Sequence, residues 1–359
     1  MRTPVIIAAL GLAAKVFGSS DTGAKFHLAA EGLFASDVQV SDTTAGALWS
    51  GPGREAAVTL GWSRLAVDYS PAPADLITRA AARTETRRAA QFDARRDFGG
   101  RWTALAGGGL YRGFGDHRSM WIDEYDRQLF AGAPGYAPAA PHGWHAAAGA
   151  RWAWRPGSTF FQAMLTRRAD TVAPGYEPRI GQPLLRGRER LHTSSANLSF
   201  EHIATPLVRL RLDGSAADTT GRARRHTIIG SANWTPAEQW VLRATAGATR
   251  EAPTLRAAWL QLALDRDWAN RWFAGLLVRG YRDRGEVLDP LVPSSAAPAL
   301  HTLHAAASLR WQGARHAWRL EAGPYRTAYA PVPPAAWQFA RLYRDRTWLR
   351  VQAAFHGEF

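Results

Sequence analysis

The sequence predicts an all-β protein, a transmembrane antiparallel up-and-down β-barrel of about 16 strands, with 14 and 18 as the alternatives. Three observations lead there. Apolar and polar residues alternate with period two through one segment after another. Tight turns alternate with generally longer connections. Tryptophans fall beside the tight turns, on the apolar face of each segment.

The alternation is clearest at the C-terminal end. Leu349, Val351, Ala353, Phe355, Gly357 and Phe359 share one face, and Arg350, Gln352, His356 and Glu358 share the other. A helix would mix these two sets around its circumference, whereas a strand separates them. The same arithmetic sets Leu303, Ala305, Ala307, Leu309 and Trp311 against Thr302, His304, Ser308, Arg310 and Gln312. It sets Trp240, Leu242, Ala244 and Ala246 against Arg243, Thr245 and Thr249, and Val208, Leu210 and Leu212 against Arg209, Arg211 and Asp213. Near the start, Phe26, Leu28, Ala30 and Phe34 oppose His27 and Glu31.

Tight turns are expected at Trp62–Leu65, Phe98–Trp102, Arg155–Thr159, Ala204–Leu207, Thr235–Gln239, Trp268–Arg271 and Gly313–Ala317. Longer polar or Pro-rich stretches fall between them at 114–142, 173–189, 285–299 and 329–343. Two strands flanking each turn, plus one at each end, make about 16, and an even number puts both termini at the short-turn end. Trp102, Trp154, Trp234, Trp240, Trp272, Trp311 and Trp318, with Phe161, are expected as an aromatic girdle. An indole at the headgroup level buries its ring and keeps its N–H wet.

Composition narrows the class. The chain has 359 residues, 16 Trp, 33 Gly and no Cys, which excludes disulfides, iron–sulfur clusters and Cys-ligated zinc. Its formal net charge is +14, with Lys only at Lys15 and Lys25. A basic chain raises nucleic acid as a partner, but these arginines are scattered singly through alternating segments and form no dense basic helix or stripe. Residues 1–20 read as an export signal: Arg2 precedes the apolar run Val5 to Ala14, and Gly18, Ser19 and Ser20 mark a cleavage zone. Residues 21–359 then form a single barrel domain.

The export-like start, the strand and turn pattern and the ending Phe355-His356-Gly357-Glu358-Phe359 together resemble the porin-like outer-membrane β-barrel proteins of Gram-negative bacteria. That resemblance implies an outer-membrane location and a C-terminal signal, carried by Phe355 and Phe359, read by the barrel-assembly machinery. It also implies outer-membrane lipid, lipopolysaccharide and small solutes as partners. No plug domain precedes the first strand, which argues against a TonB-dependent receptor.

With the apolar face toward lipid, the other face lines the interior. Arg87, Arg95, Arg151, Arg168, Arg209 and Arg211 are expected to line the pore along the N-terminal half. Arg243, Arg279, Arg310, Arg319 and Arg350 do so along the rest. Glu31, Asp68, Glu85, Asp93, Glu201, Asp213, Asp265, Asp283 and Glu321 share that face. Arginine rings in a pore favour anions, whereas cross-strand Arg–acid pairs would neutralise and stiffen the wall. Loop 114–142 is a candidate constriction, with Asp123, Glu124 and Asp126 facing arginines across the pathway.

No cofactor or metal site is expected. His301 and His304 would suit a helix but point to opposite faces of a strand. Gly107-Gly108-Gly109 lacks the Lys and helix of a phosphate loop, and no G-x-S-x-G elbow occurs. The function expected is a porin-like channel for small polar, and in particular anionic, solutes, not an enzyme. The alternatives are an exporter of an acidic polysaccharide, a non-conducting scaffold barrel, and a lipid-modifying enzyme using Ser194, Ser195 and Asn197 near His192.

Overall fold

The structure is a computed structural model that describes residues 23–35, 38–69, 81–114, 141–171, 190–253, 255–269, 271–287, 296–331, 343 and 345–358. The expected export signal, Phe359 and the loop acids Asp123, Glu124 and Asp126 lie outside the described residues.

The chain winds as one antiparallel meander. Its first four strands are β1 (Gly23–Phe34), β2 (Val38–Gly51), β3 (Arg54–Tyr69) and β4 (Ala81–Phe98). Next come β5 (Trp102–Arg112), β6 (His142–Arg155), β7 (Thr159–Thr171), β8 (Arg190–Thr205) and β9 (Val208–Thr219). They are followed by β10 (Arg225–Ala237), β11 (Trp240–Glu251), β12 (Leu255–Ala269) and β13 (Trp272–Asp283). Two short strands, β14 (Glu286–Val287) and β15 (Ala296–Ala297), pair only with each other in the next connection. The meander ends with β16 (Leu300–Gln312), β17 (His316–Tyr329) and β18 (Arg346–Glu358).

The barrel closes where β1 pairs with β18, from His27 opposite Glu358 to Phe34 opposite Val351. Sixteen strands form the ring, so no strand edge is left open. No helix among the described residues is long and apolar enough to cross a membrane, which says nothing about crossing by strands.

Side chains alternate between the two faces of this wall, and contacts between non-adjacent strands identify the inner one. Arg350 on β18 and Arg279 on β13 lie within electrostatic range although β16 and β17 separate them. Only the concave face permits that approach. The opposite parity carries the exposed apolar residues, including Leu165, Leu198, Leu276 and Leu349. A wall turned inside out relative to a soluble core, apolar outside and polar within, is what hydrocarbon selects.

Six of the seven short turns fall within a residue or two of the expected positions. The first does not: β2 and β3 meet at Gly51–Arg54, and Trp62–Leu65 lies inside β3. Gly61 and Ser63 resemble turn residues, but Pro52 and Gly53 build the turn, and Gly53 takes φ +63°. Both described chain ends lie at the short-turn end, as β1 and β18 begin and end there. The opposite end is less uniform than expected. Its connections at 35–37, 220–224 and 252–254 are short too, so length asymmetry rests on the other five.

Candidate functional site

The candidate site is the inner wall. All eleven arginines expected on the inner face occupy inner positions by strand parity, and the described acids of that set share them with one correction: register pairs Asp68 with Ala82, one step past inner Val67, so its place in β3 has the outer parity. Arg83, Arg225 and Arg346 join them, and the sequence pattern had not singled these out because they sit at strand ends.

Counting charges alone would make this wall nearly neutral, because many arginines have an acid partner. Arg209 Nη2 lies 2.8 Å from Glu201 Oε2, and Arg225 Nε lies 2.7 Å from Glu251 Oε2. Arg319 Nη2 donates to Glu321 Oε2 at 2.7 Å, Arg211 Nη2 to Asp213 Oδ1 at 2.8 Å, and Arg243 pairs with Asp265. Exposure breaks the balance. In the Arg319–Glu321 bridge the arginine side chain is 47% exposed and the carboxylate side chain 2%; in the Arg209–Glu201 bridge the values are 53% and 12%. Arg168 with Asp170 and Arg225 with Glu251 follow the same order. In these four pairs the short acid stays against the wall while the longer arginine stem carries its charge into the lumen; Arg83 and Glu85, at 9% and 33% exposed, reverse the order.

Several inner arginines have no acid partner among the described residues. Arg310 lies over the Phe273 ring at 4.2 Å, and Arg87 over the Tyr111 ring at 4.4 Å. Arg279 donates to Gln261 at 2.6 Å and Arg350 to Gln352 at 2.8 Å. The charges of Arg243, Arg310 and Arg319 lie within electrostatic range of one another, as do those of Arg279 and Arg350. These five arginines gather on the wall formed by β11–β13 and β16–β18. The β3–β5 wall, eight strands around the ring from that face at β4 and β12, differs in character. There Asp93 accepts from Gln91 at 2.7 Å and Asp97 from Thr103 at 2.6 Å, and among the described residues neither has an ion-pair partner. Glu55 and Glu85 on the same wall pair with Arg95 and Arg83. The lumen therefore has a guanidinium-rich side facing a more acidic one, built from strands and independent of the loop acids.

The expected girdle residues take outer positions next to the short turns. Register aligns Trp102, Trp152, Phe161 and Phe200 across four strands, and Trp272, Trp311, Trp318 and Phe355 across four others. Trp102 stacks on Trp152 with ring centroids 5.9 Å apart, and Trp318 meets Phe355 at 4.6 Å. Trp154 and Trp234 are half exposed on this surface, and Trp240 lies under the Arg266 guanidinium at 5.2 Å.

The histidine and serine constellations do not assemble. On β8, His192 and Ser194 take outer positions and Ser195 and Asn197 inner ones. His301 is exposed outside while His304 is buried inside, 3.9 Å from Glu321 Oε1. No group of three potential metal ligands occurs among the described residues.

Among solved structures, the barrel is similar to CdiB from Acinetobacter baumannii, with TM-score 0.58 and 10% identity over 94% of this chain and 60% of that one. CdiB from Escherichia coli gives 0.54 and 9% over 92% and 62%, so the chain spans about three-fifths of the length of both. A bacterial polysaccharide outer membrane secretin gives 0.50 and 8% over 94% of this chain and 98% of the other. At these identities the likeness establishes the fold, that of outer-membrane β-barrels. No protein-family model matches the sequence. No curated protein matches it either.

Proposed function

We propose that the chain forms a water-filled channel across the outer membrane of a Gram-negative cell and favours small anionic solutes. The observation that carries this reading is the ordering of charge on the inner wall, guanidinium toward the lumen and carboxylate against the strands. Fixed positive charge at the water surface lowers the entry barrier for anions, and a barrel of about 16 strands is wide enough for an aqueous path. Selectivity then follows from what the lumen presents and not from net composition. No step of this function needs a catalytic residue or a cofactor. In the same reading the turn-side tryptophans anchor the barrel at the inner interface, and the C-terminal residues Phe355 and Phe359 engage the assembly machinery. Refolded protein in a planar bilayer under a salt gradient tests the proposal. Discrete conductance steps with an anion-selective reversal potential are expected; a folded barrel that stays silent overturns it.

The polysaccharide secretin supports a second reading, export of an acidic polymer, because it alone of the three structures is covered almost end to end. Guanidinium groups along one wall suit carboxylate or phosphate groups repeating along a chain. Accumulation of a periplasmic polyanion on gene deletion, in a cell whose small-anion uptake is unchanged, would select this reading over the first.

A further inference from the structure

The outer wall holds a basic groove near the loop end of β12, β13, β16 and β17. Register places Ala258, Arg282, His301 and Ala328 in one row across these strands. The row below, toward the short turns, is Leu260, Gly280, Leu303 and Arg326. Beneath them come Leu262, Val278 and Ala305, then Leu264, Leu276 and Ala307, all apolar. A Cβ added at Gly280 would meet nothing within 4 Å, so the floor between Leu260 and Leu303 is open.

Arg282, His301 and Arg326 are exposed, and among the described residues none has an ion-pair partner. His226, Arg250 and Arg256 lie directly opposite one another on the neighbouring strands of the same face. Among the described residues, no acid takes an outer position on β10–β13 or β16–β18. Like charges placed opposite each other across a sheet destabilise it, so this band is favourable only with anions brought from outside.

Its height matches the edge of a membrane. From Trp272 at the short-turn end to Arg282 on the same face of β13 is ten residues (282 minus 272). Ten residues are about 33 Å along a strand, or about 25 Å along the axis at a tilt near 40°, the apolar height of such barrels. Arg282 and its neighbours thus meet headgroups, and the rows below meet acyl chains. The cation band spans five strand spacings from His226 to Arg326, about 24 Å, which suits a head with more than one phosphate.

We propose that this groove binds a phosphorylated, multi-acylated glycolipid of the leaflet that surrounds the loops. Phosphate rests on Arg282 and Arg326 beside His301, and an acyl chain lies over Gly280 between Leu260 and Leu303. The apolar rows under the cations favour a lipid over free phosphate. The inference rests on the outer-membrane reading but not on conduction, so lipid retained by a non-conducting barrel leaves it standing. Loss of lipid from an anion-selective barrel removes it alone.

Native mass spectrometry of the refolded full chain tests it, with folding checked separately by heat-modifiable mobility. The probes are bisphosphorylated lipid A, its dephosphorylated form, phosphatidylglycerol and inorganic phosphate. Wild-type protein should retain bisphosphorylated lipid A, and the R282A/R326A pair should lower retention at least tenfold. Gly280→Phe, which fills the floor and keeps every charge, should do the same. Equal retention by either variant overturns the proposal. So does equal binding of dephosphorylated lipid A or phosphatidylglycerol, or displacement of the lipid by inorganic phosphate.

Discussion

Arg310 on β16 and Arg319 on β17 stand directly opposite each other on the inner wall, yet among the described residues only Arg319 has a carboxylate, donating to Glu321 at 2.7 Å. Arg310 leans over Phe273 instead, so its charge is offset by a ring face and not by an anion. Arg310 is therefore a position where lumen charge can change without orphaning a buried acid. Arg310→Ala should move the reversal potential toward zero, and Arg310→Glu should move it further while the barrel stays folded. An unchanged potential in both variants would show that anions do not pass this part of the wall.

Glu321 is fully buried and holds Arg319, with His304 3.9 Å away on the other side. Removing one member of a charged hydrogen bond costs more than replacing an unsatisfied polar group by an apolar one. Glu321→Ala should lower stability by about 1.5–3 kcal/mol, the usual worth of a charged hydrogen bond. His304→Leu removes a buried ring whose nitrogens have no hydrogen-bond partner among the described residues, and it should be neutral or stabilising. Urea unfolding from lipid vesicles would compare the two. A larger loss for His304→Leu would reverse the order argued here.

Most of this wall was legible in the sequence because a strand has period two and a membrane barrel uses both faces. Once Leu349 is outward, Arg350 must be inward, and one correct residue settles a whole strand. Turns were less secure. Trp62–Leu65 carried turn-like residues, yet its parity continues through β3, and Pro52-Gly53 supplies the left-handed φ that the real turn requires. The exposure difference between Arg319 and Glu321 had no sequence signal, since it depends on side-chain length against a curved wall. The outer groove was equally hidden, because Arg282, His301 and Arg326 come together only through the registers of β13, β16 and β17.

Trp318 and Phe355 pair across β17 and β18, with centroids 4.6 Å apart and planes inclined by 52°. Aromatic pairs in such tilted geometry are worth about 0.5–1.5 kcal/mol beyond the area they bury. A double-mutant cycle of Trp318→Ala and Phe355→Ala should therefore return a coupling of about 1 kcal/mol. Coupling near zero would mean that each ring interacts with lipid and not with its neighbour.

Arg271 closes the turn between β12 and β13 with φ +78°, the one non-glycine residue at positive φ among those described. At the comparable turns after β4 and β6, Gly99, Gly100 and Gly157 take this conformation. The left-handed region brings Cβ too close to the following carbonyl, at a cost of about 1–2 kcal/mol for an ordinary residue. The Arg271 carbonyl accepts from Gln312 N at 2.9 Å, a backbone bond that glycine would keep. Glycine gains extra freedom in the unfolded chain, which offsets about 0.5–1 kcal/mol of the relief. Arg271→Gly should still raise stability by about 0.5–1 kcal/mol, read as a higher urea midpoint at unchanged slope. The converse change, Gly157→Ala, should lower the midpoint, because its backbone angle is as far into that region and a Cβ there meets no compensating contact within 4 Å. A lower midpoint for Arg271→Gly would mean that the arginine side chain, and not its backbone angle, governs this turn.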